Sequence, residues 1–264
     1  MIGIFDSGVG GLTVVKEIFK NLPSYQIIYF GDTARLPYGT KGANFVKKYS
    51  FKITKWLLEN KARIIIIACH TSSAWASNLL KKKFKRVPIF EMITPAINYI
   101  LTKNYKKIGI IGTPGTIKSK NYEKAILKEN SAIRIYSKSC PLFVSLVEEG
   151  WVDKKITREV IKEYLRPLRK KKIEALVLAC THYPLLKKEI KRFLGKKIEI
   201  INPAEKLAEE LELFLKKNPE IRKKIKIGKD HKFFFSDEPY NFQKISKLCF
   251  KKKLKVVVKD PFVS

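Results

Sequence analysis

The chain has 264 residues, 45% of them apolar, with 55 Lys+Arg against 24 Asp+Glu and a formal net charge of +31 at pH 7. That apolar share excludes a disordered chain. The longest aliphatic run, Ile64 to Ile67, is too short to span a bilayer, so no membrane role is expected. The basic residues run the whole length, as at Lys81 to Lys83, Lys170 to Lys172 and Lys251 to Lys253, instead of gathering in one tail or recognition helix. They read as a solvated surface whose field attracts small anions. The charge alone leaves a second class open, a basic nucleic-acid-binding protein, but no helix-turn-helix, RNA-binding or zinc-finger signature accompanies it. Met1 to Asp6 lacks the basic start and apolar stretch of a secretion signal, which makes the cytoplasm the expected compartment.

Short apolar runs alternate with amphipathic stretches from end to end. Strands are expected at Ile2–Phe5, Ile27–Phe30, Ile64–Ala68, Ile89–Met92, Ile108–Ile111, Ala132–Tyr136, Leu176–Ala179, Ile198–Ile201, Lys232–Phe235 and Val256–Val258. Helices are expected at Leu12–Asn21, Phe45–Asn60, Ser73–Phe84, Pro95–Lys103, Asn121–Asn130, Leu142–Glu149, Lys155–Lys171, Leu186–Leu194, Pro203–Lys217 and Tyr240–Phe250. Helices that repeatedly follow short strands define an α/β chain with mainly parallel sheets flanked by helices. The halves also echo each other. Gly3-Ile4 opens a strand that ends in Asp6-Ser7-Gly8-Val9-Gly10-Gly11, and Gly109-Ile110 opens one that ends in Gly112-Thr113-Pro114-Gly115-Thr116. Each half later has an aliphatic strand that stops at Ala-Cys, at Cys69 and at Cys180. The expectation is two similar lobes related by a pseudo-two-fold, residues 1–94 plus 204–264 and residues 95–203, with the active site between them.

In an open α/β sheet, ligands bind beyond the carboxyl ends of the strands, which is where Cys69 and Cys180 fall. A helix N-terminus next to such a cysteine offers free N–H groups and a positive dipole end, both favourable to a thiolate. Either cysteine alone reads equally well as a small buried hydrophobe. Two in equivalent places read differently. Inverting a stereocentre at carbon means taking a proton from one face and returning one to the other, and two opposed acid/base groups do this where one cannot. Near-attack geometry with each sulfur roughly 3–3.5 Å from the carbon separates the sulfurs by about 7 Å, far beyond disulfide length. No C-x-x-C pair or zinc-ligand spacing occurs among the four cysteines and three histidines, so no metal is expected. The glycine loop after Asp6 is neither a dinucleotide fingerprint nor a P-loop. It permits close backbone approach to an anion, with Asp6 either engaging an ammonium group or serving as an ordinary helix N-terminal acid.

Several motifs, in order along nearly the whole chain, are similar to those of glutamate racemases. They are Asp6-Ser7-Gly8-x-Gly10-Gly11-Leu12-Thr13, Tyr29-x-Gly31-Asp32-Thr33-Ala34-Arg35-x-Pro37-Tyr38-Gly39, Cys140 to Val144 with Glu148-Glu149-Gly150-Trp151, and Leu178-Ala179-Cys180-Thr181-His182-Tyr183-Pro184-Leu185. The resemblance implies interconversion of L- and D-glutamate without pyridoxal phosphate or another cofactor, to supply D-glutamate for peptidoglycan. It implies Cys69 and Cys180 as the acid/base pair, with Asp6 and His182 assisting. Ser7, Pro37, Tyr38, Gly39, His70, Thr71, Thr113, Thr116 and Thr181, together with Asp6 and His182, would hold the substrate. It also implies a homodimer, in an arrangement that varies within the family. Ala68-Cys69-His70-Thr71 departs from the family pattern, which has Asn after the first cysteine. The segment Glu91 to Ala96 also lacks an acidic residue usual just before its proline. These departures leave aspartate or a related acid open as the substrate.

Overall fold

The computed structural model describes residues 1–250 and 254–263; the basic run at Lys251 to Lys253 lies outside them. The elements in chain order are β1 (Ile2–Asp6), α1 (Leu12–Asn21), β2 (Ile27–Gly31), α2 (Ala43–Glu59), β3 (Ile64–Ile67), α3 (His70–Lys83), β4 (Ile89–Glu91) and α4 (Ile93–Leu101). Then follow β5 (Lys107–Gly112), α5 (Pro114–Ser119), α6 (Asn121–Glu129), β6 (Arg134–Ser139), α7 (Leu142–Glu148), α8 (Lys155–Lys170), β7 (Ala175–Ala179), α9 (Lys187–Leu194) and β8 (Glu199–Ile201). The chain ends with α10 (Pro203–Lys217), α11 (Pro219–Arg222), β9 (Lys232–Phe235), α12 (Phe242–Cys249) and β10 (Val257–Val258).

The strands form a six-stranded sheet, in the order β10-β9-β2-β1-β3-β4, and a four-stranded sheet, β6-β5-β7-β8. Every strand pair within these sheets is parallel. Stretches such as Ile64 to Ile67 and Ala175 to Ala179 are buried at every residue, which parallel strands covered by helices on both faces require. The order β2-β1-β3-β4 repeats as β6-β5-β7-β8, so β1 corresponds to β5 and β3 to β7. The loops bearing Asp6 and Thr113 therefore leave equivalent strands, as do those bearing Cys69 and Cys180. One apolar cluster spans both sheets, joining Ile4 and Ile66 to Leu176, Leu178 and Tyr183, with Leu207 and Leu211 of α10.

Three local differences from the sequence reading have physical causes. Helix α3 begins at His70, not Ser73, because Cys69 is extended (ψ 121°) and its sulfur accepts the Ser72 N–H, acting as the cap. The loop after β5 folds into α5, with Thr113 Oγ1 accepting the Thr116 N–H and Pro114 in the first turn. Strand β6 starts later and runs further than expected. Asn130 Oδ1 accepts the Ala132 N–H and holds a turn there, and the strand continues until the Cys140 N–H reaches the Gly112 carbonyl at 3.0 Å.

Candidate active site

At the carboxyl ends of β1, β3, β5 and β7 the two sheets face each other across a narrow cleft lined by residues of both. Cys69 and Cys180 both line it, and each keeps a few per cent of its surface exposed. All four cysteines are free thiols. Also at the cleft are Ser7, Pro37, Tyr38, Gly39, His70, Thr71, Thr113, Thr181 and His182, eleven of the thirteen anticipated residues with the two cysteines. Asp6 and Thr116 stand behind this lining and reach it through hydrogen bonds.

Around Cys69 the chemistry is that of a protonated thiol. Its Sγ lies 3.8 Å from Ser7 Oγ and accepts the Ser72 N–H at 3.5 Å. Burial, with the Asp6 carboxylate as a second cause, pushes the thiol up to about 11 against the pull of Ser72 and Ser7. Asp6 is itself raised by complete burial, opposed by His182 and by the N–H groups of Gly8 and Gly11. It accepts hydrogen bonds from Gly8 N (3.0 Å) and Thr181 Oγ1 (3.4 Å).

Cys180 has a different partner. His182 Nδ1 is 3.8 Å from its sulfur, and His182 Nε2 is 2.9 Å from Glu148 Oε1. Burial disfavours the imidazolium, but its hydrogen bonds to Cys180 and Glu148 outweigh that and hold it up to about 10. A proton carrier thus sits against one sulfur and a buried carboxylate near the other. The sequence reading missed Glu148 as the partner of His182. The residue falls in the Glu148-Glu149-Gly150-Trp151 motif, but only the fold shows α7 delivering it to the cleft. Gly8, Leu36 and Val144 are the other lining residues it did not single out.

The polar floor is a set of cross-sheet hydrogen bonds. Thr71 Oγ1 is 2.9 Å from Thr113 Oγ1 and 3.2 Å from Thr116 Oγ1, and the latter two are 2.9 Å apart. Thr13 Oγ1 donates to the Thr181 carbonyl at 2.8 Å. Tyr38 lines the cleft but spends its proton elsewhere, donating to Asp32 Oδ2 at 2.5 Å. Asp32 is also paired with Arg35 at 2.6 Å. Two glycines allow this closeness. A Cβ on Gly10 would lie 2.5 Å from His182 Cε1, and one on Gly39 would lie 2.7 Å from Thr113 Cβ. The imidazole Nδ1 of His70 lies 3.0 Å from Tyr122 Oη. Glu91 accepts the N–H groups of Ile93 and Thr94 and thereby caps α4.

The parallel double sheet agrees with the comparison to known proteins: residues 5–211 match the Asp/Glu/hydantoin racemase family, and the chain belongs to it. Within that family its likeness is to glutamate racemases. It is 44% identical over 248 residues to the glutamate racemase of Aquifex pyrophilus, covering 94% of this chain and 92% of that one. The crystal structure of glutamate racemase from Francisella tularensis in complex with D-glutamate superposes with a TM-score of 0.88 at 38% identity, covering 97% of this chain and 96% of that one. A glutamate racemase from Bacillus anthracis reaches a TM-score of 0.91 at 34% identity, covering 100% of this chain and 98% of the other. Among the described residues, no helix is long and apolar enough to cross a membrane.

Proposed function

We propose that the chain interconverts L- and D-glutamate with Cys69 and Cys180 as opposed acid/base groups, and that it serves in the cytoplasm to supply D-glutamate for peptidoglycan. The observation that carries this reading is that both thiols, from equivalent strand ends of two equivalent sheets, line one cleft. The amino acid sits between them with its Cα facing each sulfur. One sulfur removes the α-proton while the other, as a thiol, delivers a proton to the opposite face, and the roles exchange in the reverse direction. Asp6 and His182 tune this exchange from either side. Ser7, Thr71, Thr113, Thr181 and the backbone at Gly39 hold the carboxylates and the ammonium group, with Thr116 ordering the threonines. The lobes are residues 1–94 with 204–264, and 95–203, and two copies associate as a homodimer.

Incubation of each enantiomer of glutamate and of aspartate in deuterated water, with no added cofactor, tests the reading. Deuterium should enter the α-position of glutamate as it inverts, at a rate well above that with aspartate. Cys69→Ser and Cys180→Ser should each reduce inversion by about 10²–10⁴-fold, the usual worth of a positioned acid or base. Retained inversion in both variants would sink the two-thiol assignment.

A further inference from the structure

Of the motif that runs from Tyr29 to Gly39, the cleft uses Leu36, Pro37, Tyr38 and Gly39; Asp32 and Arg35 stand outside it. Asp32 is fully buried directly after β2, where its N–H donates to the Asp6 carbonyl at 3.1 Å. Its Oδ2 accepts the Tyr38 hydroxyl at 2.5 Å, and its Oδ1 accepts Ser236 Oγ at 2.8 Å and Arg35 Nη1 at 2.6 Å. The second guanidinium nitrogen, Arg35 Nη2, donates to Asp260 Oδ2 at 2.6 Å, a partner 225 positions along the chain. The side chains of Arg35 and Asp260 are only 12% and 15% exposed. The guanidinium carbon also lies 4.6 Å from the centre of the Tyr49 ring and 5.5 Å from that of Phe262. Asp260 is itself anchored: its Oδ1 accepts the Phe262 N–H at 3.0 Å, and the Lys259 N–H donates to the Phe235 carbonyl of β9 at 2.7 Å.

We propose that Asp260 is a positioning residue for the cleft: it occupies one nitrogen of Arg35, restricts the guanidinium to one oxygen of Asp32, and so leaves the other oxygen to hold Tyr38 and the segment Leu36 to Gly39 as the cleft wall. Arginine and carboxylate favour a two-pronged contact. With Asp260 gone, the fork is free to take both oxygens of Asp32, and the carboxylate turns from the Tyr38 hydroxyl. A buried carboxylate keeps a fixed orientation only while its partners do. The wall it holds is closely fitted, since a Cβ on Gly39 would lie 2.7 Å from Thr113 Cβ on the facing sheet's loop. A small shift at Tyr38 therefore alters the space between the two loops. The inference rests on the cleft being the amino-acid site proposed above.

Two measurements on the full chain test it. Amide hydrogen exchange over residues 33–41 should be faster in Asp260→Ala than in the parent chain, while the strands of both sheets exchange as before. Unaltered exchange in that segment would overturn the proposal. This comparison is made without substrate, so it decides whether Asp260 holds the wall even if the chain fails to turn over glutamate, a failure that would count against the functional reading alone. In kinetics, Asp260→Ala should raise KM for glutamate about fivefold, corresponding to about 1 kcal/mol, while kcat changes far less. In a Tyr38→Phe background the same substitution should change KM by less than about twofold, because its route to the cleft is already cut. An unchanged KM in Asp260→Ala, a loss confined to kcat, or an equal loss with and without the Tyr38 hydroxyl would contradict the positioning role.

Discussion

Two sulfur atoms of the same residue type meet opposite surroundings at the cleft. Cys69 is held as a thiol by burial and by Asp6, whereas Cys180 faces a histidine that keeps its proton up to about 10. That proton depends on Glu148, whose carboxylate is 2.9 Å from the ring. Glu148→Gln keeps an acceptor but removes the charge that favours the imidazolium, so the His182 pKa should fall. A profile of kcat between pH 7 and 11 should show the alkaline limb moving to lower pH in the variant; an unmoved limb would separate His182 from the rate. The sign for stability follows from the raised value. The contribution of His182 is fully present below its unfolded value of 6.5, declines above it, and is gone once pH passes about 10. His70 has the opposite sign. Its folded value near 3 lies below 6.5, so the unfolded chain takes up a proton first as pH drops, and stability is lost between those limits.

At the level of elements, strand ends and helix starts do the positioning. Cys69 caps α3, and Thr113 caps α5, so each cap serves both its helix and the cleft. The loop between β1 and α1 is tied down from β2, where Tyr29 Oη donates to the Gly8 carbonyl at 2.6 Å. The bond is buried, and Tyr29→Phe leaves that carbonyl without its donor at a cost of about 1–3 kcal/mol. Thermal unfolding should show a melting temperature lower by several degrees. Because the same loop holds Ser7 against Cys69, KM for glutamate should rise as well. A variant with the original melting temperature would show that the loop is held by other contacts.

Across the whole molecule, a net charge of +31 surrounds the cleft proposed above to bind glutamate. Such a field raises the local concentration of anions and is screened by salt. The expected outcome is that kcat/KM for glutamate falls between about 20 and 300 mM salt, chiefly through association, with kcat nearly constant. A flat salt dependence would mean that the surface charge serves solubility alone. The sheets are joined by a shared apolar cluster and by the threonine contacts over the cleft floor, and both thiols stand directly after buried strands.

The sequence by itself determined most of the strands and helices and the strand ends where the cysteines fall. Short runs of Ile, Val and Leu between helical stretches read as strands of a parallel sheet, and two of them end in Ala-Cys, at Cys69 and Cys180. What depends on the tertiary structure is which groups face those sulfurs. Glu148 reaches His182, Tyr122 reaches His70, Tyr38 turns its hydroxyl to Asp32, and Asp6 and Thr116 act from behind the lining. Local propensity and periodicity encode a strand or a helix over a few neighbouring residues. A hydrogen bond between residues tens of positions apart is set only when the two sheets pack, and that packing decides which side chains are buried, charged or free to bind.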